Sequence, residues 1–182
     1  MYRDNSLMPK EAVRLAALGT AAARGPLRYA DLAASVRHFT ARIVGPSLDM
    51  MGTSLELLRL EGLLEAAEGA GMSDNALLSI TEAGRAELST LLQANVRSPS
   101  SDPFNKLVIA LKLRFLHLLP PDRRRDEVQA LCGMFQTELA RLEELRATAA
   151  EEPGYLADWL EHDIRQTEAA RDWLAAMVER VG

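Results

Sequence analysis

The chain has 182 residues, 48% hydrophobic and 26% charged, which is long enough to bury a core and too apolar for a disordered chain. Its formal net charge of −5 argues against a protein that coats polyanions without selectivity, although a local basic patch can still meet DNA. Leu and Ala dominate while β-branched and aromatic residues are few, so a mainly α fold is expected.

A loose start ends at Pro9, where Pro9-Lys10-Glu11 opens a helix with Val13, Leu15, Ala16, Leu18 and Ala22 on its apolar stripe. Arg24-Gly25-Pro26 stops it. A second helix is predicted over about Tyr29–Phe39, with Leu32, Ala33 and Val36 facing inward. Gly45-Pro46-Ser47 makes a turn and an N-cap for a third helix over about Leu48–Glu61, ended by Gly62 in the usual position past a helix C-terminus.

Two short strands follow, Leu63–Ala67 and Ala76–Ile80, joined by the turn-rich EGAGMSDN. Thr81 caps a fourth helix that reaches about Asn95, and Glu82 suits its positive end. Helix, strand, turn, strand, helix in this order predicts a winged helix-turn-helix, with a small two- or three-stranded β wing.

Arg97-Ser-Pro-Ser-Ser-Asp-Pro103 reads as a linker, so residues 1–97 form one expected domain, 98–103 the linker and 104–182 a second, all-helical domain. Its helices are predicted at Phe104–Leu118, Asp122–Ala150 and Tyr155–Val181, with turns at Leu119-Pro120-Pro121 and Glu151-Glu152-Pro153-Gly154. The long pair carries apolar residues at alternating three and four spacing. Val128, Cys132, Phe135, Leu139 and Leu142 mark the first helix. Leu156, Trp159, Ala170, Trp173, Leu174, Met177 and Val181 mark the second. An antiparallel helical hairpin leaves apolar stripe uncovered, so pairing with a second chain or folding back on the first domain is expected.

With these elements in place, the chain resembles the AphA-like kind of PadR-family transcriptional regulator over nearly its whole length. Leu55, Leu58, Arg59 and Glu61-Gly62-Leu63 resemble the family's recognition helix running into its "eGl" motif. Leu78-Ser79-Ile80-Thr81-Glu82-Ala83-Gly84-Arg85 resembles the "yrlTeaGr" segment after the wing, and Trp173-Leu174 the aromatic pair of the last helix. The resemblance implies a homodimer held by the C-terminal hairpin, binding palindromic promoter DNA, commonly as a repressor and often under a small-molecule effector. Dimerisation is expected through Val128, Phe135, Leu139, Leu142, Trp159, Trp173, Leu174 and Met177.

Charge placement refines the expected DNA surface. Residues 1–44 carry seven basic and three acidic residues, whereas residues 45–97 carry three basic and eight acidic ones. Phosphate contacts, which set affinity and register, are therefore expected from Arg28, Arg37, His38 and Arg42. Base contacts are expected from the start of the third helix, at Ser47, Met50, Thr53 and Ser54. Gly52 in that helix costs about 1 kcal/mol relative to Ala; close approach to DNA and tight helix packing both account for it. Glu65, Glu68 and Asp74 make the wing acidic. That motivates a rival reading, a winged-helix protein that has lost DNA binding and acts through protein contacts.

Other chemistry is sparse. His38, His117 and His162 have no metal-ligand spacing, and no phosphate loop, nucleophile elbow or paired metal carboxylates occur. No enzyme activity and no cofactor are expected. His162 and Asp163, near Trp159, read either as a polar helix face or as the lining of a ligand pocket. Arg123-Arg124-Arg125 reads either as a solvated turn at a helix start or as a second anion contact. Cys132, the single cysteine, excludes an intrachain disulfide, reads as a buried thiol and fits a reducing cytoplasm. No apolar run reaches the ~18 residues of a membrane span and no signal peptide is expected, so a cytoplasmic location is.

Overall fold

The computed structural model of the protein describes residues 6–45, 52–68, 76–97, 99–149 and 153–181, with the backbone alone at 52–54, 67 and 68. Helix α1 spans Pro9–Arg24. Pro9 supplies a pre-set φ at the first position, and Glu11 reaches back to accept from the Met8 N–H at 2.6 Å. Ala12, Val13 and every residue from Leu15 to Ala21 are buried. That is more than the one stripe expected, because α1 packs against four helices and a strand at once. Its small side chains let those elements come close.

After Gly25, residues Leu27–Arg28 form a two-residue strand, β1, that the sequence pattern did not announce. It pairs antiparallel with a later strand and leads directly into α2, Tyr29–Val44. Helix α2 buries Leu32, Val36 and Thr40. It continues five residues beyond the expected end at Phe39, since no breaker stands before Gly45.

Helix α3 is described over Gly52–Leu60, so the expected first turn from Leu48 lies outside the described residues. Leu55 and Leu58 are buried, and Gly62 adopts φ +72° to turn the chain into the sheet. Strands β2 (Leu64–Glu68) and β3 (Leu77–Ile80) pair antiparallel with register Leu64↔Ile80, and the sheet order is β1-β3-β2. Alternation along β3 puts Leu78 and Ile80 in the core. Helix α4, Glu82–Leu92, follows at once. This is the winged helix-turn-helix.

Helix α5, Pro103–Phe115, is capped by Asp102, whose carboxylate accepts from Phe104 N at 2.8 Å and Asn105 N at 3.2 Å. It runs into a 3-10 turn at Leu116–Leu118. Lys112 on α5 is fully buried, and its Nζ donates to the Leu92 carbonyl at 2.6 Å, a cation at the negative end of α4.

Contacts divide the chain into two compact units, and the division differs from the expected linker. Residues 1–97 and 101–119 form the first unit, whereas 98–100 and 120–182 form the second. Helix α5 joins the first because its apolar face packs on α1 and α2.

The second unit is a helical hairpin of α6 (Pro121–Ala149) and α7 (Leu156–Val181). Val128, Leu131, Cys132, Phe135 and Leu139 of α6 are buried, as are Leu160, Ile164, Thr167, Leu174 and Val178 of α7. Arg146–Glu161 at 2.7 Å and Arg125–Glu179 at 3.8 Å bridge the helices at the two ends. The buried Glu138 carboxylate accepts from the Ser100 N–H at 3.0 Å. No described helix is long and apolar enough to cross a membrane.

Candidate nucleic-acid interface

The described part of the winged helix offers three elements to a ligand: the exposed face of α2, helix α3 and the strands of the wing. The third helix is anchored from behind. Arg14 of α1 forms an ion pair with Glu61 just past α3, and its Nε lies 3.8 Å from Glu87 of α4. Arg14 is therefore spent on holding the fold, and the basic surplus of the N-terminal segment rests on other residues.

Arg28 is exposed, with extended backbone at the N-cap of α2 and a β-pairing to Leu77. It thus stands where β1, the wing and α2 meet. Arg37, His38 and Arg42 are all exposed on α2, but they do not share one face. At about 100° per residue, His38 and Arg42 lie close together one turn apart, whereas Arg37 projects about 100–140° away from them. His38 also lines a cleft that faces α5.

Of the expected base readers, Ser47 and Met50 lie outside the described residues, and for Thr53 and Ser54 the backbone alone is described, within α3. The described outer face of the third helix carries Glu56, Leu57, Leu60 and Glu61, all exposed. Leu60 is 82% exposed. Glu65 on β2 is exposed as well, while the tip of the wing lies outside the described residues. The exposed residues of this described half are thus acidic and apolar, with Arg59 half-buried beside them, and its exposed bases come from β1 and α2.

The wing root is held by Thr81. Its hydroxyl donates to the Gly62 carbonyl at 2.7 Å and accepts from Gly84 N at 3.0 Å. Gly84 has no room for a side chain, because an added Cβ would overlap the Leu63 carbonyl oxygen and come within 2.8 Å of Ile80 Cγ1. The Thr81-Glu82-Ala83-Gly84-Arg85 segment therefore has a mechanical reason for its residue types. It locks the exit of the third helix, the wing and α4 together.

The residues expected to dimerise divide into two groups. Val128, Phe135, Leu139 and Leu174 are buried in the hairpin of one chain, with Leu142 and Met177 half-buried. Trp159 and Trp173 are 55% and 50% exposed. They stand fourteen residues apart on a face of α7 roughly 100° from its buried row. Leu156, Tyr155 and Leu145 are further exposed apolar residues of this unit.

Sequence reasoning missed the cleft beside α2. Arg114 of α5 and Arg24 at the end of α1 line it together with His38; they are remote from one another in sequence and share no motif. Among the described residues no group of His, Cys, Asp and Glu has metal-binding geometry.

The chain is similar to two crystal structures of Bacillus subtilis PadR. The first is 16% identical over 97% of this chain and 98% of that chain, with a TM-score of 0.40. The second, PadR in complex with operator DNA, is 16% identical over 93% of this chain and 98% of that chain, with a TM-score of 0.37. A search of curated proteins finds no match. The family described as "Putative AphA-like transcriptional regulator" matches residues 2–178. The chain belongs to this family of AphA-like transcriptional regulators.

Proposed function

We propose that the protein is a sequence-specific DNA-binding regulator that acts in the cytoplasm as a homodimer on palindromic promoter DNA, as a repressor, under a small-molecule effector. The observation that carries this reading is the winged helix-turn-helix itself, α1 to α4 with its three-stranded sheet, in a chain of this family.

Residues 1–97 would read DNA, 98–103 connect, and 104–182 dimerise, with α5 packed on the DNA-reading unit. Arg28, Arg37, His38 and Arg42 serve as phosphate contacts, and Ser47, Met50, Thr53 and Ser54 serve as base readers. Trp159 and Trp173 supply the exposed apolar surface of the dimer contact, since large half-exposed aromatics are what interfaces bury. A two-fold dimer sets its recognition helices about one DNA turn, or a multiple of it, apart.

A second reading has its own support. Glu56, Leu57, Leu60, Glu61 and Glu65 are exposed together on the third helix and wing, which suits a protein partner better than phosphates.

Binding of the full chain to duplex DNA from the promoter of its own gene, followed over a salt series, separates the two. A log–log slope corresponding to several released counterions supports the DNA reader. Absence of binding at any salt, in a folded dimer and with cell extract added as a source of effector, supports the protein-contact reading.

A further inference from the structure

Of the residues that line the cleft between the end of α1, the outer face of α2 and α5, His38 alone has a part in the DNA reading above. The cleft encloses about 450 Å³, within the size range of small-molecule sites. Arg24, His38 and Arg114 line it with Ser35 and Phe39, and Asp31 is the acidic residue among its walls. Two guanidinium groups against one carboxylate leave it positive.

Arg114 is its unusual member. Its guanidinium carbon lies 4.4 Å from the centre of the Phe39 ring and 4.9 Å from that of Phe115. The rings fix its plane, which is the arrangement that presents N–H edges as a fork to an oxyanion. Its Nη1 is buried and has no hydrogen-bond partner among the described residues. Neither Arg114 nor Arg24 has an ion pair among the described residues, although Asp31 lines the same cleft. Burial first, and the positive charge of Arg24 second, push the Arg114 guanidinium below its ordinary value. Structural arginines that are partly buried normally have a carboxylate partner, since an uncompensated cation is costly. Here Nη1 has no partner among the described residues, and Arg114 lines an open cleft.

We propose that this cleft is an oxyanion site, taking a small organic carboxylate or phosphate through Arg114 and Arg24. Ser35 and His38 are there to meet a second polar group of the same ligand. Asp31 selects against ligands carrying a second anionic group on its side of the cleft, by like-charge repulsion. The ligand would tie the end of α1, α2 and α5 to one another within the first unit, and so bear on the exposed face of α2.

The test is a heteronuclear NMR titration of the full chain with inorganic phosphate, and separately with acetate, against sodium chloride at matched ionic strength. Saturable shifts clustered at residues 24, 31–39 and 114 are expected. Arg24→Gln and Arg114→Met are each expected to weaken binding about tenfold or more. Arg24 is exposed, so its variant keeps the fold even if Arg114→Met does not. Shifts that never saturate, or that survive Arg24→Gln unchanged, overturn the proposal. Duplex DNA that the protein binds separates the two sources of oxyanion. Phosphate retained alongside the duplex assigns the site to a free ligand, and phosphate displaced by it assigns the site to the DNA backbone.

Discussion

The Thr81 hydroxyl donates to the Gly62 carbonyl at 2.7 Å while accepting from the N–H of Gly84 at 3.0 Å. One side chain thus closes the exit of the third helix and starts α4 at the same time. Thr81→Val keeps the shape and removes both bonds. A lost helix cap costs about 1–2 kcal/mol, and leaving the Gly62 carbonyl without its donor adds to it. A fall in urea midpoint with an unchanged slope is the expected result, and Thr81→Ser should restore most of it.

Gly84→Ala probes the same joint from the packing side. The new methyl group meets the backbone oxygen of Leu63, which cannot swing aside as a side chain does. The helix-propensity gain of about 1 kcal/mol is set against overpacking of about 1–3 kcal/mol, and the clash with backbone puts the cost at the upper end. Net destabilisation, measured by thermal unfolding, is the predicted outcome. Gly19→Ala is expected to behave in the same direction, because its Cβ would come within 2.6 Å of the buried Phe115 ring.

Much of this architecture was legible in the sequence. Pro9, Gly25, Gly45, Gly62 and Pro153-Gly154 punctuate the chain where helices start or stop, because glycine and proline restrict the backbone locally. The wing was legible from Leu77-Leu78-Ser79-Ile80 running into Thr81. The two-residue strand β1 was not, since two residues carry no periodicity and its pairing with β3 is a tertiary event. Nor was the place of α5. A Ser/Pro-rich stretch announces a loop, but which side the next helix packs on depends on faces fifty or more residues away. Period alone also could not tell the buried row of α7, Leu160 to Val178, from the neighbouring row of Trp159 and Trp173. Both satisfy seven-residue spacing. The arginine cleft was illegible for the same reason, because its members come from α1, α2 and α5 and meet only in the folded unit.

The exposed tryptophans give the proposed dimer a direct handle. Trp159→Glu with Trp173→Glu leaves the buried row of the hairpin intact, so helicity should be kept. Sedimentation equilibrium is expected to show a monomer for the double variant and a dimer for the unaltered chain. A dimer of undiminished stability in the variant would move the interface elsewhere.

Cys132 provides an independent check on the hairpin. The residue is 8% exposed, and its sulfur lies 3.8 Å from the Arg171 carbonyl across the interhelical contact. A buried thiol in apolar surroundings reacts slowly. Labelling by a thiol reagent should therefore track unfolding of α6–α7, being slow in buffer and complete in denaturing urea. Rapid labelling in buffer would mean that the hairpin opens.

Arg37 and Arg42 are exposed on different sides of α2, so their contributions can be separated. For a DNA reader, each alanine substitution is expected to weaken binding across all sequences and to reduce the salt slope by about 1. A variant that loses affinity without changing the slope would place that arginine away from the phosphates.

The most direct measurement is selection of bound sequences from random duplex DNA at moderate salt, in the presence and absence of cell extract, with the Arg37→Ala, Arg42→Ala double variant alongside. The account predicts enrichment of a palindrome by the unaltered chain, with its half-sites a whole number of DNA turns apart, and loss of that enrichment in the variant. No enrichment in either condition by a folded, dimeric chain would contradict it and leave the acidic outer face of the third helix as a surface for protein partners.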